Sequence, residues 1–245
     1  MGSNDSQSVR NKLTIFANHH DHRIPPISYP HQQQCSMKTI ELFCGTKSFS
    51  KVAKELGHET FTIDNDISFN PDYRCELQNL DRIGIYDVLW ASPPCEGFSV
   101  ASIGANWTGG LRGYIPKSDS ARRSIQLAQK TTELIEQGRP TWWFIENPRG
   151  LLRKMPFMEE FLKRTGGVRH TVTYCQYGDT RMKPTDIWTN ALWWKPKPVC
   201  KNGMPCHVAA PRGSRTGTQG IGNYRDRSRI PAELFEEIFK QSPPK

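Results

Sequence analysis

The stretch Tyr86-Asp87-Val88-Leu89-Trp90-Ala91-Ser92-Pro93-Pro94-Cys95-Glu96-Gly97-Phe98-Ser99 decides how this chain is read. Its first half is a short apolar run of the kind that forms a buried parallel strand. Two consecutive prolines cannot continue a sheet ladder, so the second half is a turn with Cys95 directly after it. In an open α/β sheet, ligands bind at the carboxyl ends of the strands. A thiolate there is well suited to attack an electron-poor carbon. On this stretch alone a buried structural cysteine and a nucleophile are equally admissible.

Working outward, Thr39 to Phe43 reads as a first strand and Cys44-Gly45-Thr46 as a turn. Ser48 to Leu56 reads as a helix, with Phe49, Val52, Ala53 and Leu56 on one face and Gly57 as its stop. Glu59 to Ile63 is a second strand ending at Asp64, Ile85 to Ala91 the third, and Thr141 to Ile145 a fourth that stops at Glu146-Asn147-Pro148. Between the last two lie a Gly-rich segment, 103–116, and a helix from Ser120 to Gln137 closed by Gly138. The first is expected to be a structureless lid carrying Trp107 and Arg112. Further elements are a helix at 157–163, strands at 168–174 and 187–189, and an amphipathic helix from Pro231 to Gln241. Strands alternating with helices predict an α/β fold with a doubly wound, mostly parallel sheet. Gly45, Asp64, Cys95 and Glu146 then share one edge of it.

Of the 245 residues, 36% are hydrophobic and no apolar run approaches the length of a membrane span. Seven cysteines, odd in number and scattered, fit a reducing, cytoplasmic setting better than a disulfide scaffold. The formal charge is +9, and from Lys195 to Arg229 eight Lys or Arg stand against the single acid Asp226. Interleaved with Gly, Ser, Thr and Asn, they suit a loop-rich surface that follows a phosphate backbone, so the expected partner is nucleic acid. Residues 1–36 read as a polar arm, 37–183 as the catalytic domain, 184–229 as a small basic recognition segment and 230–245 as a helix packing back.

Gly45 permits close approach of a ligand to the backbone, and an acid ending the next strand is where a ribose diol is held. The glycines that would cradle a pyrophosphate are missing, so an adenosine ligand without phosphates fits better. Cys95 and Glu146 complement each other chemically. A thiolate adds to C6 of a pyrimidine, and a carboxyl kept protonated by burial donates to N3, which makes C5 nucleophilic.

These motifs resemble the DNA (cytosine-5) methyltransferase family. Glu41-Leu42-Phe43-Cys44-Gly45-Thr46 looks like its first motif, Phe43 packing on the adenine and Gly45 lying close to the methionine part of the donor. Asp64-Asn65-Asp66 is similar to the second, with Asp64 on the ribose, and Glu76 matches the acid at the adenine amino group. Pro94-Cys95-x-x-Phe98-Ser99 resembles the nucleophile motif, with Glu96 where Gln is usual. Asp119-Ser120-Ala121-Arg122 looks like the segment after the catalytic loop. Glu146-Asn147-Pro148 resembles the motif whose Glu works on N3, and Arg181-Met182-Lys183 the Arg-x-Arg pair near the cytosine O2. Gly220-Ile221-Gly222-Asn223 is similar to the last motif, at the donor site.

The resemblance implies Cys95, Glu146, Arg181 and Lys183 as catalytic residues. It implies Phe43, Gly45, Thr46, Asp64, Asn65, Glu76, Pro94 and Asn223 as the S-adenosylmethionine site. It further implies a compact phage-type enzyme of the restriction-modification kind, acting as a monomer on a cytosine flipped out of double-stranded DNA. Two departures stand out. Lys47 would put a cation near the donor, admitting even a carboxylated analogue, and the recognition segment is short. Rival readings are an amino-methyltransferase using Ser92-Pro93-Pro94 on adenine N6 or cytosine N4, a non-catalytic nucleic-acid-binding module, and an RNA substrate. Cys200-x5-Cys206-His207, with Cys175 as a distant fourth, offers zinc ligands. The spacing is loose, and no metal is expected.

Overall fold

A computed structural model describes residues 36–110, 113–201, 203–209, 221 and 223–244. Residues 1–35 of the polar arm, Arg112, Gly220 and Gly222 lie outside them. In chain order the strands and α-helices are β1 (Lys38–Leu42), α1 (Ser48–Glu55), β2 (Glu59–Asp64), β3 (Tyr73–Arg74), β4 (Val88–Ala91), α2 (Ile103–Asn106), β5 (Trp107–Thr108), β6 (Ile115–Pro116), α3 (Asp119–Gly138), β7 (Trp142–Pro148), α4 (Pro156–Thr165), β8 (Val168–Thr173), β9 (Pro184–Thr189), α5 (Tyr224–Ser228) and α6 (Ala232–Gln241).

Seven strands form one sheet in the order β3-β2-β1-β4-β7-β9-β8. The first five are parallel, while β9 runs antiparallel to both β7 and β8. The chain leaves β1 toward β2 and β3, then returns to β4 on the other side of β1. A crevice therefore opens at the carboxyl ends of β1 and β4, where such sheets bind ligands.

β4 shows why the sheet is buried on both faces. Leu89 and Ala91 enter the core that contains Leu127, Ala128, Leu134 and Ile135 of α3. Val88 and Trp90 enter the opposite core, with α1 and α6. Trp90 lies 5.7 Å from each of Phe49 and Phe144 and 4.8 Å from Phe235, ring centre to ring centre. An alternating strand with apolar residues on both sides reads as a continuous apolar run. At the start of α1, Lys47 adopts a left-handed conformation and supplies no side-chain cap. The buried Glu41 of β1 replaces it, accepting from the backbone N–H groups of Phe49 (3.3 Å) and Ser50 (2.9 Å).

Several expectations need correction. The third strand is shorter than 85–91, because Ile85 is 92% exposed. Leu56 lies past the end of α1 and is 42% exposed rather than on its buried face. Gly138 is still helical, and Arg139 takes the left-handed position after it. A Cβ on Gly138 would meet Ile83 at 2.5 Å, so the glycine serves a close approach. Within 103–116, the described residues form α2 and the β5–β6 hairpin. Trp107 is buried, stacks on Phe98 and donates to the Gly97 carbonyl, which ties it down beneath the turn instead of leaving it free to close over a base. The fourth strand does not stop at Glu146. It continues through Pro148, because β9 pairs Ile187, Asp186 and Thr185 with residues 146, 147 and 148. Residues 184–189 accordingly belong to the central sheet and not to a recognition segment.

Candidate active site

The turn that carries Cys95 is held from three sides. Asn147, fully buried in β7, donates its side-chain amide to the Pro93 carbonyl at 2.8 Å. Gly97 N–H donates to Ser124 Oγ of α3, and a Cβ there would lie 2.5 Å from that oxygen. Gly150 allows Leu151 N–H to reach the Phe98 carbonyl at 2.9 Å, where a Cβ would clash with the same oxygen.

β4 ends at Ala91, opposite Ile145, so Glu146 reaches one residue past its neighbour, level with Ser92. Cys95, Glu146 and Lys183 line one cavity of about 640 Å³, together with Ser92, Pro94, Thr46 and Arg227. The thiol and the carboxyl thus face the same space. Burial pushes the Glu146 carboxyl up, while Lys183 and hydrogen bonds from Tyr174 and Ser92 pull it back down. The Tyr174 hydroxyl donates to Glu146 Oε1 at 2.7 Å. Burial also pushes the Cys95 thiol up, and the Glu146 charge adds to it, while Lys183 opposes. Lys183 itself is lowered by burial and raised by Glu146 and Cys95. Its ammonium stands 4.8 Å from the centre of the Tyr174 ring and donates to the Arg227 carbonyl at 3.0 Å. The three groups therefore titrate as neighbours in a partly dehydrated pocket.

A second cavity of about 390 Å³ adjoins the first, sharing Phe43, Pro94 and Glu96. Ile63, Leu77 and Leu127 give it apolar walls, and Asp64, Asn65 and Glu76 a polar rim. Asp64 already accepts from Gly45 N–H and Asp66 N–H, both at 2.9 Å, with one carboxylate oxygen each. Glu76 pairs with Arg123 at 3.0 Å and accepts from the Asn65 amide at 3.0 Å. Phe43 reaches both cavities from a left-handed backbone conformation, φ 57°, a costly arrangement for an aromatic residue and one that marks functional sites.

Three sequence-predicted residues are placed elsewhere. Arg181 lines neither cavity. Its guanidinium pairs with Asp179 and donates to the carbonyls of Asp226, Arg227 and Arg229. Asn223 caps α5 through its side chain, and the neighbouring Tyr224 is the one that lines the larger cavity. Lys47 donates to the Asn70 carbonyl and lines neither cavity, which removes the expected cation from the donor site.

The chain is 28% identical over 224 residues to a protein of Frog virus 3 (isolate Goorha) described as a probable DNA (cytosine-5)-methyltransferase, the match covering 83% of this chain and 99% of that protein. The chain is thus similar along most of its length to a protein described as a probable DNA (cytosine-5)-methyltransferase. The chain is also 30% identical over 137 residues to the type II methyltransferase M.AgeI of Thalassovita gelatinovora, covering 47% of this chain and 29% of that one. Among solved structures, a putative DNA modification methyltransferase encoded within an Escherichia coli prophage superposes with a TM-score of 0.48 at 15% identity, over 84% of this chain and 70% of that one. No family model matches.

Sequence reasoning missed Tyr174, Ser92 as a Glu146 partner, Tyr224 and Arg227. The alternation of 168–174 is the one signal that pointed toward Tyr174. Around the larger cavity, α5 leans back on the loop after β2. Arg225 lies 4.9 Å from the Phe69 ring centre and donates to Ser68 Oγ at 2.8 Å. No helix among the described residues is long and apolar enough to cross a membrane.

Proposed function

We propose that this methyltransferase transfers a methyl group from S-adenosylmethionine to C5 of a cytosine in DNA, with Cys95 bonded to C6 of a base turned out of the duplex. The observation that carries the reading is that Cys95, Glu146 and Lys183 line one cavity beyond the carboxyl ends of β1 and β4 and beside β7, next to a second, smaller cleft. The smaller cleft fits the donor. Its apolar walls suit a purine, its carboxyl and amide groups suit ribose and amino hydrogen bonds, and it has no glycine-rich phosphate cradle. Phe43, Asp64, Asn65, Glu76 and Pro94 would hold the adenosine part, with Gly45 and Thr46 beside the larger cavity. When bound, the donor supplies an electrophilic methyl group.

The residues of the chain do the rest. C6 is inaccessible in a stacked duplex, so the base must enter the cavity from outside the helix. Cys95, as the thiolate favoured by Lys183, forms the sulfur–C6 bond. Glu146, whose hold on a proton burial strengthens, gives that proton to N3 as the ring gains electron density. This makes C5 nucleophilic. After methylation, the C5 proton is lost to water in the cavity, rupture of the sulfur–C6 bond frees Cys95 as thiolate, and the N3 proton returns to Glu146. Tyr174 and Ser92 orient the carboxyl. Arg181 acts as a positioning residue, because the carbonyls it holds belong to the segment that brings Tyr224, Arg227 and Ser228 to the cavity. The basic residues of 195–229, eight Lys or Arg against one acid in the sequence, would supply the phosphate contacts.

Ser92 is already engaged, accepting from Trp90 Nε1 at 2.9 Å and bonding Glu146, which leaves the amino-methyltransferase reading without a free serine. The test is nucleoside mass spectrometry of DNA incubated with protein and donor. The expected product is 5-methylcytosine, absent with Cys95→Ser. N4-methylcytosine, N6-methyladenine or no modified base would overturn the proposal.

A further inference from the structure

The four side chains left unused by this chemistry converge on one point. Cys175 Sγ, Cys200 Sγ, Cys206 Sγ and a ring nitrogen of His207 all lie within 4.8 Å of one another. We propose that they hold a structural zinc ion in a closed Cys3His site. With zinc–sulfur bonds of about 2.3 Å and a zinc–nitrogen bond of about 2.0 Å, an ideal tetrahedron has sulfur–sulfur edges of about 3.8 Å and sulfur–nitrogen edges of about 3.5 Å. The corresponding separations are 3.7 Å for Cys206–Cys175 and 3.2 Å for Cys200–Cys206. To His207 Nδ1 they are 3.5 Å from Cys200 and 3.8 Å from Cys206.

A disulfide explains this cluster less well. It would join only two of the four groups, and the Cys200–Cys206 sulfurs at 3.2 Å are well beyond an S–S bond of about 2.05 Å. Three thiolates and an imidazole are a soft donor set suited to zinc, and four ligands leave no open position for chemistry. The Gln176 amide donates to Cys206 Sγ at 3.2 Å, the outer hydrogen bond that steadies a metal-bound thiolate.

The local structure also calls for such a staple. Val199, Met204 and Val208 are 49%, 51% and 63% exposed, so 195–209 has almost no core of its own. It is tied to the end of β8 by Cys200 N–H on Thr173 Oγ1 (2.8 Å) and to the stretch after β8 by Val208 N–H on the Thr180 carbonyl (2.9 Å). Cys175 follows Tyr174, whose hydroxyl holds Glu146. The metal thus pins the root of the basic segment beside the cavity wall. The metal assignment itself does not depend on the methyl-transfer reading.

The experiment uses the full chain, expressed in zinc-supplemented medium and purified without a metal-affinity resin. Elemental analysis is expected to give about one zinc per chain. Alkylation of the native protein should spare Cys175, Cys200 and Cys206 until a chelator is added. Cobalt exchange should give the visible absorption of a tetrahedral thiolate site. His207→Ala and Cys206→Ser should each lower zinc retention at least tenfold. Because either variant is able to unfold the segment, the wild-type stoichiometry and labelling decide. Folded wild-type protein with less than a tenth of a zinc per chain, a Cys200–Cys206 disulfide in its peptide map, or labelling unchanged by chelator overturns the proposal.

Discussion

Replacing Asn147 by aspartate (Asn147→Asp) tests how far the buried Asn147 amide, one of three ties on the turn carrying Cys95, holds that turn in place. The two side chains have nearly the same volume, so packing is preserved and only the donor is changed. In the wild type the amide gives a 2.8 Å hydrogen bond to the Pro93 carbonyl at a fully buried position. A protonated carboxyl is able to donate in its place; an ionised one sets a charge against a carbonyl oxygen without water. Full burial raises a carboxyl pKa by roughly 3 or more. The sign follows from linkage. A folded pKa above the unfolded value of about 3.9 leaves stability intact below about pH 4 and removes it progressively as pH rises toward a folded value of about 7. At about 1.4 kcal/mol per pH unit the deficit reaches roughly 4 kcal/mol. For a domain of this size that is a fall in Tm of about 8–16 °C. Paired urea unfolding of wild type and variant from acid to mildly alkaline pH reads it directly. The two should nearly coincide at the acid end and diverge upward. Under alkaline conditions kcat should fall about a hundredfold or more, since a displaced nucleophile loses its alignment. A difference in stability that is flat across pH, or an unaltered kcat, would refute the reasoning.

The charges around the thiol give a second prediction. The pH midpoint for alkylation of Cys95, followed on its own peptide, should lie above that of an ordinary cysteine, should fall in Glu146→Gln and should rise in Lys183→Met. Shifts of the same sign in both variants would contradict the arrangement. A third concerns Glu41, whose pKa is raised from 4.5 to about 7 by burial against its hydrogen bonds to Ser50 and Phe49. A raised folded pKa means stability is greatest when the group is protonated and declines as pH rises from about 4.5 to about 7, by about 3 kcal/mol. Glu41→Gln should abolish that part of the pH dependence in denaturation curves, and an unchanged slope would count against it.

Much of the fold was legible in local pattern. The alternation of apolar strands with amphipathic helices predicted the doubly wound sheet, and Leu234, Phe235, Ile238 and Phe239 of the last helix are all buried as expected. What local pattern missed depends on distant partners. Pro148 looked like a strand end, yet the strand runs on to it because residues 184–189 come from far along the chain to pair with it. Glycines in 103–116 suggested a free lid, while the buried Trp107 at its start anchors that stretch beneath the Cys95 turn. For the site, strand-end logic brought Cys95 and Glu146 toward one cavity, because side chains beyond parallel strand ends must face the crevice. Arg181 was expected there as well. Three carbonyls 45 to 48 residues along the chain draw its guanidinium aside, which no spacing in the sequence displays. The Cys175, Cys200, Cys206 and His207 set was visible in the sequence as a loose candidate, but their convergence was not, since Cys175 is separated from the other three by a whole strand.

The central claim is that one sulfur and one carboxyl act on the same pyrimidine ring. Duplex DNA carrying 5-fluorocytosine tests it most directly, because fluorine at C5 cannot leave as the proton does and the sulfur–C6 bond then persists. Incubated with the wild-type protein and S-adenosylmethionine, the DNA is predicted to become linked to the peptide containing Cys95, with no adduct in Cys95→Ser and a much slower one in Glu146→Gln. Product formation on unmodified DNA without any trapped adduct, or an adduct mapped to another cysteine, would contradict the account.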